Sequence, residues 1–146
     1  MKPLHLATTL IALTAATGFA HEGVQNPTVM ARMMNMSDMA ESMEVVVNMV
    51  RGQSAFDADL AQEALVQLTA HAEATNELFI DPATDPKSEA LPAIWDNYAD
   101  FTARTQATQA SAQAAQRALS SLETLAPAVQ AIGATCAGCH DLYREE

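Results

Sequence analysis

Two cysteines and a histidine near the C-terminus carry the clearest chemistry in this chain. The segment reads Cys136-Ala137-Gly138-Cys139-His140, and it contains both cysteines of the sequence. The C-x-x-C-H spacing is typical of covalent haem attachment, in which each thiol forms a thioether with the haem and the imidazole binds the iron. We therefore predict that Cys136 and Cys139 hold haem c and that His140 is the proximal iron ligand.

Other uses of a C-x-x-C pair fit this sequence less well. A thioredoxin-like redox pair is expected near a βαβ unit, and the residue pattern shows no such unit. A structural zinc site needs four ligands, usually from two such pairs, and the chain has only one pair. Haem attachment is the interpretation that the sequence favours.

The first twenty residues have the pattern of a secretory signal. Lys2 precedes an apolar stretch, and the small residues Gly18 and Ala20 stand where a signal peptidase would cleave. The apolar stretch is too short and too weakly apolar to favour a membrane span. We expect residues 1–20 to be removed, residues 21–146 to form a single domain, and the protein to reside in a bacterial periplasm.

The charge balance is strongly acidic. The chain has seven Lys and Arg against eighteen Asp and Glu, and removal of Lys2 with the signal makes the net charge about −12. Such a surface disfavours nucleic acid and anionic membranes, and it favours redox partners with a basic docking surface. The sequence contains no hydrolase-like arrangement of Ser, His and Asp and no Gly-rich phosphate loop, so we do not expect an enzyme.

The pattern of helix-forming residues predicts an all-α fold. Ala, Gln, Glu, Leu and Met are abundant, and β-branched runs are scarce. The predicted helices cover Pro27 to Arg51, Asp57 to Phe79, Pro92 to Leu119, and Ser120 or Ser121 to Tyr143. One long connection, over 81–92, separates the second helix from the third. We predict an antiparallel four-helix bundle with haem c attached near the C-terminal helix.

Several residues suggest where these helices begin and end. Asn26 and Asp57 are good N-caps, and Gly52 is placed to end the first helix in a left-handed conformation. Ser120 and Glu123 have the spacing of a capping box for the last helix.

Two further features of the helices need the structure to decide them. Pro127 requires either that the last helix start near Ala126 or that it bend there. The inward face of the first helix is predicted to comprise Arg32, Met36, Met39, Met43, Val46, Val47 and Val50, and to leave out Met30, Met34 and Met49.

With the helices and the haem motif in place, the chain resembles the cytochrome c′ family, the class II c-type cytochromes. The C-terminal position of C-x-x-C-H is itself informative, because class I cytochromes c carry the motif near the N-terminus. Further similar segments are Val50-Arg51-Gly52-Gln53, Ala55-Phe56-Asp57, Pro92-Ala93-Ile94-Trp95, Ile132-Gly133 and Asp141-Leu142-Tyr143-Arg144.

The resemblance implies roles for three more residues. Members of the family place an Arg on the first helix, with the distal residue four positions later, and low-spin c-556-like members have a Met there. In this chain the pair is Arg32 and Met36, so Met36 is the expected distal iron ligand. By the same resemblance, Arg32 contacts a haem propionate and Arg144 lies on the proximal side. The expected function is one-electron transfer by a His/Met-ligated haem.

Three alternatives stay open at this point. Met33 and Met39 lie about one turn from Met36 and are rival ligands. If no methionine binds the iron, the resemblance implies a five-coordinate protein that binds NO or CO. A third hypothesis is a copper site of thioethers from Met30, Met33 and Met34, with His21. The family also includes homodimers formed through the first two helices.

Overall fold

The computed structural model describes residues 23–145, which form four long helices and one short one. The helices are α1 (Pro27–Val50), α2 (Ala58–Leu78), α3 (Ala93–Asp96), α4 (Tyr98–Ala118) and α5 (Leu122–Tyr143). Within this part of the chain, no helix has the length and apolar character needed to cross a bilayer. The predicted signal segment 1–20 and His21 lie outside the described residues.

The long helices pack as an antiparallel bundle. Helix α1 contacts α2 and α5, and α4 contacts the same two helices. Hydrogen bonds between helices establish the direction of α2 and α4. Tyr98 at the start of α4 bonds the carbonyl of Asn76 near the end of α2, whereas Gln116 near the end of α4 bonds the carbonyl of Leu65. The predicted four-helix bundle is confirmed.

The residues expected to begin and end the first two helices do so. The Asn26 side chain accepts hydrogen bonds from two backbone N–H groups of the first turn of α1, and Asp57 does the same for α2. Gly52 has φ +70°, the left-handed conformation that glycine adopts without steric cost. Short-range rules predicted these ends because each depends on groups within three residues of the cap.

The last helix has its N-cap at Ser121, one of the two predicted starting positions, but its capping box differs from the predicted one. The N-cap is Ser121, whose backbone N–H donates to the Thr124 hydroxyl at 3.1 Å, so the Ser120–Glu123 capping box was wrong. Helix α5 begins at Leu122 and continues through Pro127, which excludes a start near Ala126.

The predicted third helix is two helices. Asn97 leaves the helical region at φ −130°, and both its backbone N–H and its side-chain amide donate to the carbonyl of Ala93. Asn competes in this way with regular helical bonding. The indole N–H of Trp95 also bonds the Phe79 carbonyl at 2.8 Å, which fixes α3 against the end of α2.

The buried side chains form two clusters that meet at the haem-attachment segment. The larger one fills the bundle between α1, α2, α4 and α5, with Leu65, Leu68, Leu125 and Ile132 among its members. Met49 also belongs to it, at 1% exposure, so its predicted position off the inward face was wrong. Because α1 packs against two helices, its buried surface is wider than the single stripe that we assigned.

The smaller cluster is aromatic and lies near the end of the bundle. Its buried members are Phe79, Ile94, Phe101 and Tyr143. The Phe101 ring lies 5.1 Å from that of Phe79 and meets that of Tyr143 edge-on at 5.5 Å. This cluster joins the α2–α3 connection to the last turn of α5, three residues after His140.

Candidate haem-binding site

A cavity of about 680 Å³ lies within the bundle, in the range of cofactor sites. All four long helices contribute to its wall, which is mostly apolar. The predicted site residues on this wall are Arg32, Met36, Cys136, Cys139, His140 and Arg144. The structure thus brings the two thiols, the imidazole and the favoured thioether to one cavity large enough for a macrocycle, and we conclude that the residues present fit haem c.

Helix α5 supplies the attachment chemistry. Burial raises the pKa of both the Cys136 and Cys139 thiols, so before attachment both are protonated at neutral pH. The pKa of His140 is lowered, first by loss of water contact at the cavity wall and then by the charge of Arg144. A neutral imidazole presents the nitrogen lone pair that a metal needs.

Helix α1 presents the candidate distal ligands. Met33, Met36 and Met39 all line the cavity. Of these three, Met36 alone packs in the aromatic cluster, which also holds Cys139. Met39 packs instead against the larger core, and its sulfur lies 3.8 Å from the buried Thr75 hydroxyl. Met36 therefore shares its surroundings with Cys139 of the motif and with Tyr143, which follows the motif on α5.

The methionines of the copper hypothesis do not share one environment. Met33 lines the cavity, whereas Met34 is 52% exposed to solvent. Within residues 23–145, no group of three or more His, Cys, Asp and Glu is arranged to hold a metal ion. His21 lies outside the described residues.

Arg32 is buried, with 2% exposure, and its guanidinium is used by the protein itself. It donates hydrogen bonds to the backbone carbonyls of Leu78, Asp81 and Ala83. It also lies over the rings of Phe79 and Trp95, 4.9 and 5.1 Å from their centres. Three of its five N–H donors therefore hold the α2–α3 connection, and contact with a propionate stays a prediction for the other two.

Arg144 lies one turn after His140, where the C-terminus meets the α2–α3 connection. Its guanidinium pairs with the Glu89 carboxylate at 2.6 Å. The backbone here forms an antiparallel bridge between Ala90 and Arg144, with hydrogen bonds from Leu91 to Tyr143 and from Glu145 to Glu89. Arg144 also lines the cavity, and its position on the proximal side of the haem stays a prediction.

A second set of polar residues at the site escaped the sequence analysis. Asp100 and Arg104 of α4 form an ion pair at 2.6 Å and contact α5 beside the haem motif. Their i, i+4 spacing is a sequence signal for a helix ion pair. The sequence has no signal for their partners on α5, because those lie more than thirty residues away.

Comparison with known proteins identifies the family. The family model described as Cytochrome C' matches residues 27–144. Cytochrome c-556 from Agrobacterium tumefaciens (strain B2A) is 36% identical over 70 residues, covering 47% of this chain and 56% of that protein. The chain therefore spans little more than half the length of this curated relative.

Two solved structures share the fold over most of the chain. Cytochrome c556 of R. palustris is 26% identical with a TM-score of 0.76, covering 84% of this chain and 98% of that one. The nitric oxide complex of a variant of cytochrome c prime from Alcaligenes xylosoxidans is 28% identical with a TM-score of 0.73, covering 82% and 94%.

The matched family consists of haem proteins. Its members carry covalently bound haem c with iron, serve as electron carriers or gas-binding proteins, and are periplasmic in bacteria. The helical bundle, the cavity and the C-x-x-C-H segment on its wall all agree with the match over residues 27–144. This chain belongs to the cytochrome c′ family, and its cofactor is haem c.

Proposed function

We propose that this protein is a periplasmic one-electron carrier whose haem iron is ligated by His140 and Met36. The observation that carries the proposal is the shared surroundings of Met36 and Cys139 in one aromatic cluster, with His140 on the same cavity wall. When bound, haem c supplies a one-electron Fe(III)/Fe(II) couple. The similarity to cytochromes c-556 supports the same choice.

The four site residues on α1 and α5 have distinct roles in this proposal. Cys136 and Cys139 would hold haem c through thioether bonds and fix its position. His140 on α5 and Met36 on α1 would bind the iron. A thioether is a soft, neutral ligand that gives a higher reduction potential than a second histidine would. Both ligands lie on packed helices, so the backbone positions that carry them are fixed.

The proposed partners are proteins with a basic docking surface. The acidic excess of the chain attracts such partners over long range and orients them on approach. The exposed apolar side chains of Met34 on α1 and Leu60 and Val66 on α2 are consistent with a homodimer through those helices. We do not propose an enzymatic activity.

A second candidate function is gas binding by a five-coordinate iron. The observation that favours it is that Met36 has a flexible, unbranched side chain on the wall of a cavity, so it can move aside. One solved structural neighbour is the nitric oxide complex of a cytochrome c prime variant. In this case the side chain of Met36 would act as a displaceable cover over the iron.

Carbon monoxide addition to the reduced holoprotein distinguishes the two functions. Under the electron-carrier proposal, the wild type gives a reversible one-electron redox titration and little CO complex, whereas Met36→Leu binds CO readily. Met39→Leu is the matched control and should behave like the wild type. Rapid, stoichiometric CO binding by the wild type would instead put gas binding first.

A further inference from the structure

Two charged residues of α4 contact the haem-attachment segment on both sides of the proximal ligand. Arg104 donates from Nε to Asp100 Oδ2 at 2.6 Å, and from NH1 to the Gly138 carbonyl at 2.9 Å. The Tyr143 hydroxyl donates to the same Asp100 oxygen at 2.7 Å. Gly138 precedes His140 by two residues and Tyr143 follows it by three. The α4 pair therefore spans the turn of α5 that carries the imidazole.

The imidazole has little else to fix its direction. Within residues 23–145, no side chain or backbone group forms a hydrogen bond with the His140 ring. Histidines that bind metals usually gain their orientation from a partner on the second ring nitrogen. Here the orientation depends on the position of the helical turn itself, and Asp100 and Arg104 hold that turn through Gly138 and Tyr143.

The hydrogen bonds of this network are of the strong, charge-assisted kind. The Arg104 guanidinium and the Tyr143 hydroxyl both lower the pKa of Asp100, so the carboxylate is ionised at neutral pH. The same carboxylate raises the pKa of Arg104 and of Tyr143. Tyr143 is also anchored in the aromatic cluster, with 6% exposure, so its hydroxyl has a fixed position. Bonds to charged groups are shorter and stronger than neutral ones.

We propose that Asp100 and Arg104 are positioning residues for the proximal ligand. They act through Gly138 and Tyr143 to hold the His140 imidazole in one orientation relative to the haem. The inference rests on the proposed function only in taking His140 as the proximal ligand. It does not depend on whether Met36 is the distal one.

Electron paramagnetic resonance of the ferric holoprotein tests the proposal, because its g-values report the geometry of the axial ligands. The variants are Arg104→Gln and Tyr143→Phe, and Arg117→Gln is the matched control, since it removes the same charge from an exposed position at the far end of α4. We expect Arg104→Gln and Tyr143→Phe to broaden or split the single ferric signal. Arg117→Gln should retain the wild-type spectrum.

A conservative variant separates positioning from charge. Arg104→Lys keeps the positive charge but lacks the planar fork that reaches both Asp100 and Gly138. Positioning predicts that Arg104→Lys resembles Arg104→Gln in its spectrum and in its reduction potential. If Arg104→Lys restores the wild-type values, the residue acts by charge alone and the proposal is overturned.

The remaining outcomes are also decisive. Wild-type g-values in Tyr143→Phe and Arg104→Gln, together with a lower urea midpoint, would make the network a structural brace and overturn the proposal. Tyr143→Phe removes one hydroxyl only and serves as the test should Arg104→Gln fail to fold. A high-spin wild type contradicts the role of Met36 and leaves this test intact, because high-spin signals also change with proximal geometry.

Discussion

Arg32 is the only charged side chain among residues 23–145 that is fully buried. Its cost of burial is offset by three backbone carbonyls and two aromatic rings, all supplied by α3 and the segment from the end of α2 into the connection. The residue therefore ties the helix that carries Met36 to the segment 78–83. Its position four residues before Met36 places this tie one turn away from the proposed distal ligand.

Replacing Arg32 by methionine should destabilise the fold without changing the volume of the side chain greatly. The change leaves the carbonyls of Leu78, Asp81 and Ala83 without their donors, so we expect the free energy of unfolding to fall by about 2–4 kcal/mol. Urea denaturation measures this. Arg51→Met, at an exposed C-cap, is the control, and equal losses in the two variants would contradict the role assigned to Arg32.

The Asp100 network should make stability depend on pH in a defined direction. Folding lowers the pKa of the Asp100 carboxyl. The ionised carboxylate therefore stabilises the fold above its unfolded-state pKa of about 4. This stabilisation is lost as the pH falls through the lower folded-state pKa. The difference in urea midpoint between wild type and Asp100→Asn should therefore be present at pH 6 and shrink below pH 4. An undiminished difference at low pH would argue against an ionised Asp100. Asp96→Asn, an exposed acid on α3, is the control.

Local rules are sufficient to predict some of the helix ends. The ends of α1 and the start of α2 depend on caps within a few residues, and the sequence predicted them. The position of α3 against the end of α2 depends on the Trp95 bond to Phe79, and the buried position of Met49 depends on two neighbouring helices. Contacts of this kind between distant segments have no signature in the local pattern.

Helix α2 offers a clean test of capping. Asp57 accepts hydrogen bonds from the N–H groups of Asp59 and Leu60, both at 3.0 Å. Asp57→Ala should lower the free energy of unfolding by about 1 kcal/mol. Asp59→Ala removes the same charge from the same helix end without removing the cap, so it should cost clearly less. Equal costs would show that charge near the helix terminus, rather than the cap, is responsible.

The haem-binding site joins parts of the molecule that are far apart in sequence. The C-x-x-C-H spacing predicted the attachment residues, because that chemistry depends on residues within one turn. The helical pattern alone does not show which methionine faces the attachment residues, since Met33, Met36 and Met39 all reach the cavity. The resemblance supplied that choice. The Asp100–Arg104 contact with α5 was missed because only packing of α4 on α5 creates it.

The acidic surface leads to a prediction about encounter rates. If the net charge of the chain steers partners, electron exchange with a basic class I cytochrome c should slow as ionic strength rises from 10 to 200 mM, by about tenfold or more. Exchange with an acidic redox protein should accelerate instead. Stopped-flow absorption measures both. Rates independent of salt for the basic partner would contradict electrostatic docking.

The ferric absorption spectrum of the holoprotein is the direct test of His140/Met36 ligation. A thioether bound to Fe(III) gives a characteristic charge-transfer band. We predict a low-spin spectrum with this band in the wild type and in Met33→Ala and Met39→Ala, and loss of the band in Met36→Ala. A high-spin wild-type spectrum, or a band that survives Met36→Ala and disappears in Met33→Ala or Met39→Ala, would contradict His140/Met36 ligation.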